Sequence, residues 1–103
     1  VVNVSSHAAR NAFPQWSAYC VSKAALASFT KCLAEEERVN RIRACTLTLG
    51  SVNSSLWDTV QSDFDRSSML SSQQAAAALL HLAEQPIDQV IEDLTLMPAT
   101  GAF

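Results

Sequence analysis

Glycine is almost missing from this chain: Gly50 and Gly101 are the only two among 103 residues. Neither a G-x-G-x-x-G turn nor a P-loop can be built from them, so residues 1–103 hold no glycine-rich phosphate cradle. Histidine is as scarce, with His7 and His81 alone. No H-E-x-x-H pair or cysteine cluster accompanies them, so no metal site is expected. Cys20, Cys32 and Cys45 are odd in number and lack C-x-x-C spacing. Cys20 and Cys32 fall on one expected helix, roughly 18 Å apart at about 1.5 Å per residue, too far for a disulfide. Reduced thiols fit a cytoplasmic setting. No apolar run approaches the roughly 20 residues that cross a bilayer, and no secretory signal is read, so no membrane partner is expected. The chain opens Val1-Val2-Asn3-Val4, without methionine and in the middle of an expected strand. The expectation is that further residues precede it.

Charge is also thin. Charged residues make up 17% of the chain and the net charge is −3. Only Arg38, Arg41 and Arg43 come close together, which gives no electrostatic footprint for nucleic acid. What is present is a hydrophobic fraction of 49%, the composition of an ordinary globular domain, and a length sufficient for one.

Residues 1–6 are short, apolar and β-branched and read as a buried strand ending in Ser5 and Ser6. A loop with Pro14 leads to a helix expected over 17–39. Val21, Ala24, Ala25, Leu26, Phe29 and Leu33 make it apolar on more than one face. Glu35, Glu36 and Glu37 mark its emergence into water, and Arg38 suits its C-terminal dipole. Residues 42–49 form a second expected strand, which Gly50 punctuates. The irregular stretch 51–70 carries Leu56, Trp57, Phe64 and Met69 as isolated apolar residues. Ser71 and Gln74 form a capping box for a helix to about Gln85, stopped by Pro86. Asp93 to Met97 is the last strand. Strands alternating with helices imply an α/β fold with a parallel sheet and right-handed crossovers. Ligands of such sheets bind beyond the C-terminal strand ends, where Ser6 and Gly50 both fall.

Tyr19 and Lys23 stand at i and i+4 of the first helix, on one face. A phenol ionises near pH 10, too high for ready proton exchange at neutral pH. A neighbouring ammonium favours the phenolate. A serine hydroxyl such as that of Ser6 can stabilise negative charge developing on a substrate oxygen.

The run Asn3-Val4-Ser5-Ser6, with Ser6 thirteen residues before the tyrosine of Tyr19-Cys20-Val21-Ser22-Lys23, resembles the short-chain dehydrogenase/reductase family. Ser17-Ala18 before the tyrosine and Ala24-Ala25-Leu26 after the lysine strengthen the likeness. Leu49-Gly50-Ser51-Val52-Asn53-Ser54 resembles that family's P-G-x-V-x-T segment, with leucine in place of proline and serine in place of threonine. The lost proline frees φ at Leu49 and is expected to loosen the turn. The resemblance implies the C-terminal part of a single Rossmann-type, doubly wound parallel sheet: three neighbouring strands of seven, with two main helices, over residues 1–103. It implies NAD or NADP as cofactor and a small carbonyl or secondary alcohol as substrate. Tyr19 would be the general acid/base, Lys23 the ligand of the nicotinamide ribose, and Ser6 the group positioning the substrate oxygen, with Ser5 structural. Gly50, Val52 and Ser54, together with Tyr19 and Lys23, would border the cofactor. The resemblance also implies a homo-oligomer, dimer or tetramer, since in that family a helix like 17–39 commonly packs against its twin in a partner subunit.

Other readings stay open at this level. His7 adjoins Ser6 and is a candidate for the substrate cleft, as is Trp57. Trp57, Phe64 and Met69 read equally as a substrate lid or as loop anchors. His81 reads as a packing or surface residue. A non-catalytic relative that senses cofactor or serves as a subunit is the alternative to an oxidoreductase, and a helical interaction module is a third reading.

Overall fold

Three parallel strands carry the structure: β1 (Val2–Ser6), β2 (Cys45–Leu49) and β3 (Asp93–Leu96), side by side in that order. This computed structural model describes residues 1–60 and 63–102. Val2 pairs with Cys45 and Ser6 with Leu49; Thr46 pairs with Asp93 and Leu49 with Leu96. The expected start of β2 at residue 42 is corrected to Cys45. Pairing requires neighbours, and β1 and β3 begin level with Cys45 and Thr46. The preceding Arg43 instead spans to the far turn, donating to the carbonyls of Gln85 (3.2 Å) and Pro86 (2.6 Å).

Side chains alternate across a strand, and the two sheet faces differ in chemistry. Val2, Cys45, Leu47, Leu49 and Leu94 form an apolar layer with Leu82 and Ala78. These last two lie on α2 (Ser72–Ala83). Full burial of a side chain such as Leu47 contributes about 1.5–3 kcal/mol. Burial pushes the Cys45 thiol above its ordinary range. The opposite face carries Asn3, Ser5, Thr46 and Thr48, and against it lies α1 (Ser17–Glu37). The contact is polar and satisfied: Asn3 Nδ2 donates to Thr30 Oγ1 (2.9 Å), and Ser5 Oγ donates to the Lys23 carbonyl (3.0 Å). Ser5 is therefore a structural tie between strand and helix.

The helices cover opposite faces while the strands step in one direction across the sheet. The two crossovers therefore have opposite hands, which corrects the expectation that both are right-handed. The preference rests on a compact strand-helix-strand unit. Here the chain from Leu49 to Ser72 is long enough to pass around the sheet end before α2 begins.

The expected helix over 17–39 ends earlier, at Glu37. A short 3-10 turn, Arg38–Asn40, follows, and Arg41 takes a left-handed φ of 59°. Ile42 N–H then closes back on the Glu37 carbonyl at 3.2 Å, a helix stop of the Schellman type. The expectation of burial on several faces of α1 is also corrected. Lys23, Leu26, Thr30, Leu33 and Glu37 form the covered stripe, while Val21 and Phe29 are exposed. Likewise β1 is a half-covered edge strand, in which Ser5 alone is buried. The capping box at Ser71 and Gln74 is formed in both directions (3.1 and 2.8 Å). His81 lies exposed on α2.

Candidate active site

The C-terminal ends of β1 and β2 open into one cleft of about 440 Å3, within the roughly 300–1,000 Å3 of small-molecule sites. Ser6, Tyr19 and Lys23 all line it, together with His7, Gly50, Val52, Ser54 and Trp57. Every catalytic, cofactor and substrate residue named from sequence therefore reaches the same crevice; of the three lid candidates Trp57 lines it, while Phe64 and Met69 do not.

Ser6 ends β1, and its Oγ accepts the N–H of Ala8 at 3.1 Å, capping the short turn His7–Ala9. That cap uses a lone pair and leaves the hydroxyl proton for another acceptor. Tyr19 lies in the first turn of α1 and is 38% exposed, so its ring is reachable from the cleft. Lys23, one turn on, donates from Nζ to the Val4 carbonyl at 3.3 Å, and Nζ lies 5.7 Å from the Tyr19 ring centroid. This is cation–π range. An ammonium has three donors, so two remain beyond the Val4 bond.

On the β2 side, the bare Cα of Gly50 meets the last strand's exit. A Cβ there would come within 2.7 Å of Pro98 Cδ and 2.9 Å of Met97 Sδ. The glycine is needed for this close packing. Leu49, which stands where the family's proline would, is paired to both Ser6 and Leu96. Val52 bridges Leu70, with the hydrogen bonds running through Ser51 and Asn53 on either side. Its own amide takes no part in that pairing, and its carbonyl accepts the Trp57 indole N–H at 2.9 Å. Ser54 Oγ caps the 3-10 turn Ser55–Thr59, accepting from Leu56 N–H at 3.4 Å. Arg66 gathers the segment: Nε donates to Asn53 Oδ1 (2.8 Å), and the two terminal nitrogens to Asp58 Oδ1 (2.7 Å) and the Ser54 carbonyl (3.0 Å). The buried Ser51 hydroxyl donates to the Ala102 carbonyl at 2.8 Å and draws the tail to the cleft.

Asn11 orients His7. Its Nδ2 donates to the His7 carbonyl (3.1 Å), which fixes which end of the amide carries the hydrogens. The same Nδ2 lies 3.2 Å from His7 Nδ1.

Phe13, Gln15 and Trp16 also line the cleft and were not singled out from sequence. The signal was available in the three-residue spacing of Phe13, Trp16 and Tyr19. Gln15 takes a left-handed φ of 68° and Trp16 N–H closes on the Phe13 carbonyl at 3.1 Å, which turns the chain into α1. Trp57 sits 5.6 Å from Phe64, edge to face, as one continuous aromatic contact. Among the described residues no group of three or more His, Cys, Asp or Glu could hold a metal ion, and no helix is long and apolar enough to cross a membrane.

A parallel α/β sheet with helices on both faces thus opens, beyond its C-terminal strand ends, into a crevice lined by Ser6, Tyr19 and Lys23, the place where such sheets bind ligands. Residues 1–65 match the family model described as short chain dehydrogenase, and the chain belongs to that family. Over 37 residues it is 49% identical to a benzil reductase ((S)-benzoin forming) from Bacillus cereus, a match covering 36% of this chain and 15% of that protein. A betaketoacyl-ACP reductase from Bacteroides thetaiotaomicron superposes with a TM-score of 0.75 at 21% identity, over 96% of this chain and 40% of that one. A serine dehydrogenase in its closed form, complexed with NADP+, gives 0.79 at 18% identity, over 99% and 45%. A short chain dehydrogenase/reductase family protein gives 0.76 at 27% identity, over 93% and 42%. The chain thus spans less than half the length of these relatives.

Proposed function

We propose that this chain is the catalytic and nicotinamide-facing part of an NAD- or NADP-dependent oxidoreductase acting on a carbonyl or secondary alcohol. The observation that carries the reading is the meeting of Ser6, Tyr19 and Lys23 at one cleft beyond the strand ends. The residues fit the nicotinamide end of a cofactor by their donor set. Lys23 keeps two ammonium donors for ribose hydroxyls, and Val52 and Ser54 border the same cleft. Gly50 belongs to that border as the packing hinge that sets the path of residues 51–54. The phosphate-binding end has no counterpart in residues 1–103, which contain no glycine-rich loop.

When bound, the reduced nicotinamide supplies the hydride that reaches the substrate carbon. Tyr19 gives its hydroxyl proton to the substrate oxygen in the reductive direction and takes it back in the oxidative one. Ser6 donates its free hydroxyl proton to that same oxygen and holds it as charge builds. Lys23 places its charge over the Tyr19 ring and holds the ribose. His7 and Trp57 border the substrate. The chemistry calls for no metal, no nucleic acid and no membrane, and a soluble cytoplasmic setting fits the free cysteines. The exposed Val21 and Phe29 on α1 suit a second copy of the chain, giving a homo-oligomer.

The test is NADH and NADPH oxidation by the complete enzyme against a panel of neutral ketones. Tyr19→Phe should lower kcat by about 100-fold or more while cofactor affinity stays within about twofold, since general acid catalysis contributes roughly 10²–10⁴. Undiminished turnover in Tyr19→Phe would overturn the role given to Tyr19, and no turnover of any ketone by the wild-type enzyme would leave the alternative, a non-catalytic cofactor-sensing or subunit protein.

A further inference from the structure

The cleft is walled by rings. Phe13, Trp16 and Tyr19 descend one side at three-residue spacing, with Phe13 and Trp16 centroids 5.8 Å apart. Trp16 meets Tyr19 edge to face at 5.9 Å. Trp57 comes from the other side, 6.4 Å from Trp16, and His7 closes the row 6.1 Å from Phe13. All these separations lie in the range of attractive ring contacts, about 4.5–7 Å. The chain has seven aromatic residues, and four of them border this one space. Trp57 is held in place by its indole N–H on the Val52 carbonyl, so its face is presented by a fixed backbone.

The same wall is short of charge. Among the described Asp, Glu, Lys and Arg residues, only Lys23 lines the cleft; one of its donors goes to the Val4 carbonyl, and the reading above gives the other two to the cofactor ribose. The nearby Asp58 and Arg66 satisfy each other. A substrate carboxylate or phosphate would lose its hydration without gaining an arginine fork, and an unpaired buried charge is costly.

We propose that the substrate is an uncharged aryl ketone, or the corresponding aryl carbinol, whose ring packs against the wall that Phe13, Trp16 and Trp57 form together while its oxygen meets Ser6 and Tyr19. The proposal rests on the oxidoreductase reading and sharpens it to a substrate class. A flat ring gains edge and face contacts from this wall, and a saturated ring of similar size gains less.

The experiment compares phenyl methyl ketone with cyclohexyl methyl ketone, and methyl phenylglyoxylate with phenylglyoxylate, using the complete enzyme and reduced cofactor. The expected kcat/KM is higher by about tenfold for phenyl over cyclohexyl, and by at least that factor for the neutral ester over the acid. In Trp57→Leu the phenyl-to-cyclohexyl ratio should fall toward one, and Trp57→Phe, which keeps a ring, should restore most of it. Equal or faster turnover of the cyclohexyl ketone or of the acid overturns the aryl proposal and leaves the oxidoreductase reading standing. If no ketone is reduced, the oxidoreductase reading falls, and binding decides the aryl proposal separately. Trp16 and Trp57 are the chain's only tryptophans, so intrinsic fluorescence reports on the cleft. Saturable quenching by phenyl methyl carbinol with none by cyclohexyl methyl carbinol supports the proposal; an equal response to both overturns it.

Discussion

Lys23 places its ammonium 5.7 Å from the centre of the Tyr19 ring, and the Val4 carbonyl, 3.3 Å away, anchors it there. The strand end thus holds the lysine that the helix presents, and one side chain links sheet, helix and cleft. Replacing Lys23 by alanine should weaken cofactor binding by about tenfold or more, the scale of a lost charge-assisted hydrogen bond, and should also lower kcat. Isothermal titration with NADH and NADPH beside steady-state kinetics separates the two effects. Equal cofactor affinity in wild type and Lys23→Ala would contradict the ribose-holding role.

Gly50→Ala should destabilise the fold by about 1–3 kcal/mol, the usual cost of overpacking. The added methyl would stand 2.7 Å from a rigid proline ring, and only the Met97 side chain can yield. Urea unfolding should show a lower midpoint with an unchanged slope. A midpoint equal to wild type would mean that Pro98 moves aside freely.

Arg66→Ala should raise the substrate KM several-fold while shifting stability by less than about 1 kcal/mol, because the side chain is partly exposed and such pairs contribute little alone. Its three donors position Asn53, Asp58 and the Ser54 carbonyl, and so the segment that presents Trp57. Lysine cannot reproduce that fork, so Arg66→Lys should behave like the alanine variant. A fall in melting temperature with KM and kcat unchanged would mark Arg66 as structural only.

Residues 1–103 expressed alone should bind neither dinucleotide at micromolar concentration and should self-associate. They contain no phosphate loop, the second edge of β1 pairs with no strand among the described residues, and Val21 and Phe29 on α1 are exposed. Open strand edges and apolar patches recruit other chains. Calorimetry with both cofactors and sedimentation velocity test this directly. A stable monomer that binds either dinucleotide would overturn it.

Local chemistry made much of this legible in advance. The capping box at Ser71 and Gln74 formed as read because both partners lie within one helical turn. Three strands and two helices follow from patterning, since strand and helix periods differ over a few residues. The clustering of Ser6, Tyr19 and Lys23 was also readable, because i and i+4 share a helix face and strand ends share an edge.

Other features depend on partners distant in sequence. The true start of β2 at Cys45 was set by where β1 and β3 begin, and no property of Ile42 or Arg43 reveals that. The stop of α1 came from the left-handed Arg41, an unusual conformation for arginine. The opposite hands of the two crossovers and the packing that makes Gly50 necessary each join segments tens of residues apart, and the Arg66 clasp reaches back 8 to 13 residues. The aromatic wall lies between these cases. Phe13, Trp16 and Tyr19 could be counted along the chain, but only the fold brings Trp57 against Trp16. The sequence alone determined which elements form and which side chains carry chemistry, because those depend on neighbours a turn or a strand away. The tertiary structure decided handedness, register and the lining of the cleft, because those are set by contacts between distant segments.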